Sequence, residues 1–199
     1  MRTRLFMVTV AAASALFGFG TTTVAAAPAN DVASSGSAAP FADQARDAHL
    51  TAAQTSALKS EVNRYLKKTG GKQVALNKIE VDGATLLVAI PGEDRPRDFA
   101  AGEGTRAAAD PCLTGAVYSG YFCVYSQEVY QGSYYYWYAC AKRSMPWAGY
   151  GSWINDQTPG TRATFYNSSG GVAYTTPAPY SSDDSYYWTP IWHVRNCWT

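Results

Sequence analysis

Apolar residues follow three different rhythms along this 199-residue chain. Residues 5–19 are almost unbroken apolar sequence. Between His49 and Thr69 the spacing becomes helical, with Leu58, Val62, Tyr65 and Leu66 on one face. Thr51 followed by Gln54 fits a capping box at the start of that helix, and Gly70-Gly71 supplies its stop. The period then shortens. Residues 73–81 alternate as a strand, Asp82-Gly83 reads as a two-residue turn, and residues 84–90 return as an apolar strand closed by Pro91-Gly92. From Pro111 onward, short alternating apolar and aromatic runs are separated by Gly, Pro, Asn and Ser. The runs are 121–125, 133–138, 162–166 and 191–195. Runs this short and this often interrupted predict an all-β sandwich, and no helical period of useful length appears among them.

The stretches between these rhythms read as connections. Residues 28–48 are Ala, Ser, Gly, Pro and Asp, too poor in large apolar groups to pack, and read as a flexible linker. Residues 93–110 are charged and then Ala- and Gly-rich, with Arg95, Arg97 and Arg106 expected to be open to proteases. The helix and hairpin of 49–92 make a leader unit too small to be secure by itself. Two readings stay open for it. One is a propeptide or folding aid that lays its apolar strand on the next domain, cut off within 93–110. The other is a small accessory subdomain.

Composition adds the compartment. Arg2 and Arg4, the apolar run and the small residues Val24 to Ala27 form the three parts of a secretory signal peptide over 1–27. A membrane span would need roughly 20 apolar residues and a stop-transfer flank, so the expected product is released outside the cell, with no membrane association after signal removal. The formal net charge of +1 gives no electrostatic case for nucleic acid. Four cysteines after a signal peptide read as disulfides rather than a metal site, because Cys112, Cys123, Cys140 and Cys197 contain no C-x-x-C pair. Three connectivities are open. Cys112 with Cys123 and Cys140 with Cys197 is favoured, since it ties the domain's start locally and its end to its middle.

Within 111–199, Tyr125, Trp147 and Asn155 recur as Tyr166, Trp188 and Asn196, each 41 positions later. Repetition at this period predicts one supersecondary unit used twice. The first unit holds the most specific local pattern: Tyr125, four residues, Tyr130, one residue, Gly132. Gly132 would take a positive φ, the two rings would stack over a bent hairpin, and Ser152 would pack back on the corner. This pattern is the folded-hairpin signature of βγ-crystallin Greek-key motifs. Over about 112–197 the chain resembles the streptomycete metalloproteinase-inhibitor family, whose members are secreted, carry two disulfides and have a βγ-crystallin-like fold. The resemblance implies a two-motif Greek-key sandwich that inhibits extracellular peptidases, metallopeptidases by type, without a cofactor. The chain departs from the pattern in its second unit. Gly171 and Ala173 replace the second aromatic and the Gly, and His193 stands where Ser152 stands in the first. The second hairpin is therefore expected to fold differently. The family's Cys-flanked reactive loop has no counterpart in the sequence.

Candidate chemistry is sparse. The calcium positions of βγ-crystallin motifs correspond to Trp147, Ala148, Trp188 and Thr189, which carry no carboxylate, while Asp156, Asp183 and Asp184 lie elsewhere; no metal is expected. Residues 111–199 hold one Glu, Glu128, and one His, His193, without H-E-x-x-H or G-x-S-x-G, so no enzyme is expected. An inhibitory loop needs an extended segment held at both ends, which avoids the entropy cost of ordering on binding. Lys142, Arg143, Ser144 and Met145, between Cys140 and Pro146, are the leading candidate; residues 175–179, with two prolines, are the second. An alternative function is carbohydrate or cell-wall binding through the rings of 134–138, alternate members of which would face out of the sheet. A third is a structural βγ-crystallin-like module without inhibitory activity.

Overall fold

The computed structural model describes residues 40–99, 104, 106–115 and 118–197. The expected signal peptide and all but the end of the 28–48 segment lie outside them. Two helices and eleven strands follow in order. They are α1 (Ala42–Asp47), α2 (Ala52–Thr69), β1 (Lys72–Ala75), β2 (Lys78–Val81), β3 (Ala84–Leu87), β4 (Tyr121–Tyr125), β5 (Tyr134–Trp137), β6 (Lys142–Ser144), β7 (Tyr150–Asp156), β8 (Thr164–Tyr166), β9 (Val172–Thr175), β10 (Ser181–Tyr187) and β11 (His193–Arg195). The protein is mostly β, with two antiparallel sheets ordered β1-β2-β3-β5-β4-β7-β10 and β6-β11-β8-β9.

The helix forms where its periodicity places it. Thr51 Oγ1 accepts from the Gln54 amide at 3.1 Å and Gln54 Oε1 accepts from the Thr51 amide at 3.0 Å, so the capping box is closed on both sides. Leu58, Val62 and Tyr65 are buried, and α2 lies against β1 and β2 and reaches β6 in the second sheet. The strand read over 73–81 is two strands. The chain turns at Leu76-Asn77, where the Asn77 side chain donates to the Val88 and Arg97 carbonyls at 3.1 and 2.8 Å. α1 falls inside the stretch whose composition reads as linker. Small residues suffice there: Ala45 and Ala48 enter the core, and Gln44 Oε1 accepts from the Leu76 amide. In 93–110, Arg95 and Arg106 are exposed, whereas Arg97 bonds Glu93 and pairs by a β-bridge with Ala107, and Phe99 is buried.

The leader and the repeated units share one sheet. β3 pairs with β5 over Ala84↔Trp137 to Leu87↔Tyr134, and β5 continues into β4 and β7. Alternation then buries both faces. Phe122, Val124, Tyr135, Trp137 and Trp153 point to the main core with Phe165, Trp188 and Val194 of the other units. Cys123, Tyr125, Tyr134 and Ile154 point the other way, under a flap carrying Cys112. Each 41-residue unit also lends a strand to the opposite sheet. β6 of the first joins β11, and β10 of the second joins β7. The disulfides pair Cys112 with Cys123 and Cys140 with Cys197. No helix among the described residues is long and apolar enough to cross a membrane, and the two disulfides fit an oxidising compartment.

Candidate functional site

Three places bear on function: the bent corner after β4, the edge strand β6, and the connection from β9 to β10. The corner is built by short-range sequence. Val129 and Tyr130 take positive φ of 54° and 57°, and Gly132 takes 77°. A Cβ on Gly132 would lie 2.3 Å from Ser126 Oγ, so this position needs Gly for space as well as conformation. The rings of Tyr125 and Tyr130 meet edge-to-face at 5.7 Å. Ser152 Oγ accepts from the Tyr130 amide at 2.9 Å and donates to the Gln127 carbonyl at 2.8 Å. Burial and the adjacent Asp110 carboxylate, to which Tyr125 donates at 3.2 Å, hold the Tyr125 phenol far above its usual range. The corner is thus a structural lock. Ser152→Ala leaves the Tyr130 amide and Gln127 carbonyl without this partner and is expected to cost about 1–3 kcal/mol in urea melts.

The second unit folds its hairpin by other means. Asn167 Oδ1 accepts from the amides of Ser169 and Gly171 at 3.1 and 2.9 Å, a side-chain-capped turn where the first unit uses rings.

The segment expected to insert into a peptidase is a strand. Lys142, Arg143 and Ser144 form β6, with Lys142↔Arg195 and Ser144↔His193 in register. Arg143 is 8% exposed, and its guanidinium donates to the Asp82 carbonyl of the leader's turn. Met145 is buried in the main core. Lys142 is exposed, 4.2 Å from the centre of the Tyr166 ring. Where the sequence reading expects an outward loop at 142–145, the segment is mostly paired strand and two of its four side chains face inward. Burial of Arg143 depends on a partner about 60 residues earlier, which local composition cannot reveal.

The run 134–138 is likewise mostly interior. Tyr134, Tyr135 and Trp137 are buried, Tyr136 half-buried, and Tyr138 alone exposed. Burial raises the Tyr135 phenol to about 12. A ring surface along β5 is therefore not available, since the sheet is covered on both sides.

Acidic groups serve the backbone. Asp156 is buried and accepts from the amides of Tyr118 and Ser119 at 2.6 and 3.1 Å. Asp183 accepts from the Ser185 amide at 3.0 Å. Among the described residues the one grouping with metal-ligand types is Asp110, Cys112 and Cys123, and its two sulfurs are bonded to each other.

The connection 176–180 remains, between β9 and β10. Asn155, fully buried on β7, donates from Nδ2 to the Pro177 carbonyl at 3.1 Å and to Thr176 Oγ1 at 3.3 Å. Thr176 also accepts from and donates to Ala163, side chain and amide in turn, both at 2.9 Å. Ser181 Oγ closes on the Pro177 carbonyl at 3.2 Å. Above this base Pro177 is exposed and Tyr180 is 51% exposed. Two prolines and a buried amide thus hold an outward segment in one conformation. The repeat carries a signal for this anchor: Asn196, the counterpart of Asn155, also donates to a carbonyl, that of Tyr138 at 3.2 Å, and unlike Asn155 it accepts as well, from the Ala141 amide at 3.0 Å. Comparisons with protein-family models, curated proteins and solved structures each found no match.

Proposed function

We propose that the chain is a secreted inhibitor of extracellular peptidases that presents residues 176–180 to the target cleft. The observation that carries this reading is the Asn155 anchor, which holds an exposed, proline-stiffened segment from beneath. Rigid presentation lowers the ordering cost of binding, the requirement that an inhibitory loop must meet. Two further features favour it. The exchange of β6 and β10 between sheets, with the Tyr125–Tyr130–Ser152 corner, suits a βγ-crystallin-like Greek-key pair. The signal-like N-terminus and paired cysteines suit release outside the cell.

The test is titration of the full secreted chain against thermolysin-type and subtilisin-type peptidases. Stoichiometric slowing of one class is expected at micromolar chain. Tyr180→Ala should weaken inhibition at least about tenfold with an unchanged melting temperature, because its ring is at the surface. Asn155→Ala should weaken inhibition as much while also lowering stability. If neither peptidase class slows, the reading is wrong. If a peptidase class slows but Tyr180→Ala is silent, the contact lies elsewhere on the protein.

A further inference from the structure

The 41-residue repeat is broken at one place where the break has a spatial consequence. In the first unit Gly151 lies beneath the indole of the second unit's Trp188. A Cβ on Gly151 would come within 2.5 Å of Trp188 Nε1 and 2.3 Å of the Tyr125 carbonyl oxygen. Because that space is open, Trp188 is fully buried and donates to the Tyr125 carbonyl at 3.1 Å. The counterpart of Gly151 is Trp192, of Trp188 is Trp147, and of Tyr125 is Tyr166. Here the Tyr166 carbonyl accepts instead from the Trp192 amide at 2.8 Å. Trp147 is 4% exposed, and its indole N–H has no partner. The large side chain at 192 cannot tuck under the ring as Gly does, and it stands 58% exposed.

Between Trp147 and Trp192 lies a cleft of about 480 Å³, in the range of small-molecule sites. Met145 and Ile191 add apolar wall, His193 adds an imidazole, and Lys68 of α2 reaches it from the leader. His193 Nδ1 is buried without a partner. Desolvation and the nearby Lys142 lower the His193 pKa, which favours the neutral ring.

We infer that this cleft binds an oligosaccharide of acetamido sugars, a function separate from inhibition by the 176–180 segment. The apolar C–H face of a pyranose suits the exposed indole of Trp192. An acetamido group brings the complementary pair for these two unpartnered atoms of cleft-lining residues, a carbonyl for the Trp147 N–H and an N–H for a neutral imidazole nitrogen. Its methyl suits Met145 and Ile191. Both atoms are covered, so binding includes a small parting of the Trp147 and His193 side chains. Their unmade hydrogen bonds favour that movement.

The test is titration of the full chain with chitotetraose while tryptophan emission is recorded, with cellotetraose in parallel as the same ring lacking the acetamido group. A saturable spectral shift is expected for chitotetraose, with affinity at least about tenfold above that for cellotetraose. Trp192→Ala should remove the shift and leave the melting temperature and peptidase inhibition unchanged. Trp192→Phe should bind weakly, and His193→Ala should narrow the preference between the two sugars. The inference is overturned by no saturable response into the millimolar range, by equal affinity for cellotetraose, or by an unaltered response in Trp192→Ala. A saturable shift given by an apolar peptide and not by chitotetraose would likewise overturn it.

Discussion

A chain shortened to begin at Asp110 is expected to lose its cooperative thermal transition and to bind a hydrophobic dye at room temperature. The reason is the ladder from β3 to β5. Removing the leader strips β5 of four paired positions, Ala84↔Trp137 to Leu87↔Tyr134, and turns an interior strand into an edge. It also removes Leu58, Leu76, Ile79 and Leu86, each fully buried, together with Ile90. At about 1.5–3 kcal/mol for each large apolar side chain, these five alone approach the whole stability of an ordinary domain, about 5–15 kcal/mol. Trp147, whose ring meets Tyr65 edge-to-face at 5.9 Å, and Arg143, bonded to Asp82, would face water or remain unpaired. Near-UV circular dichroism and calorimetry of the shortened chain provide the measurement. A sigmoidal melt matching the full chain would show that the leader is dispensable for stability. Supplying residues 40–99 in trans should restore the near-UV signal.

The second large effect concerns the bridge between Cys140 and Cys197. Replacing both with Ser is expected to cost about 4 kcal/mol, against about 3 kcal/mol for the Cys112–Cys123 pair, since the sequence separations are 57 and 11. The longer bridge closes the ends of two partnered strands. β6 begins just after Cys140, β11 ends just before Cys197, and Lys142 faces Arg195 in the ladder. Asn196 fixes the same junction through its bonds to Ala141 and Tyr138. Guanidinium melts of the two double variants give the comparison. Equal losses, or a larger loss at Cys112–Cys123, would count against a chain-closure origin for the stability.

Local signals in the sequence marked the elements that local forces build. The helix was legible from Leu58, Val62 and Tyr65 with the Thr51–Gln54 box, and β4 from the alternation of 121–125. Both disulfides follow the favoured pairing. What stayed hidden depends on distant partners. β10 reads as polar sequence, Ser181-Ser182-Asp183-Asp184, because it lies at a sheet edge with much of its surface in water. β6 reads as a loop because Arg143 is a charged residue whose burial is licensed by a turn in the leader. The break at Leu76-Asn77 has no local signal because Asn77 turns the chain by holding carbonyls of residues 88 and 97. The 41-residue period disclosed Asn155 as a landmark, yet its role as the anchor of 176–180 is a matter of three-dimensional reach.

The trading of β6 and β10 between sheets sets a kinetic problem for this chain. Neither repeat can complete a sheet until the other has been made, so most stabilising contacts close long loops, a topology that folds over milliseconds to seconds. The α2–β1–β2–β3 segment pairs its own three strands in sequence order and precedes both repeats in the chain. Formed first, it would present β3 as a ready template, letting β5 and then β4 zip onto an existing edge. Refolding rates of the full chain should therefore respond more strongly to Leu86→Ala than to Ile154→Ala.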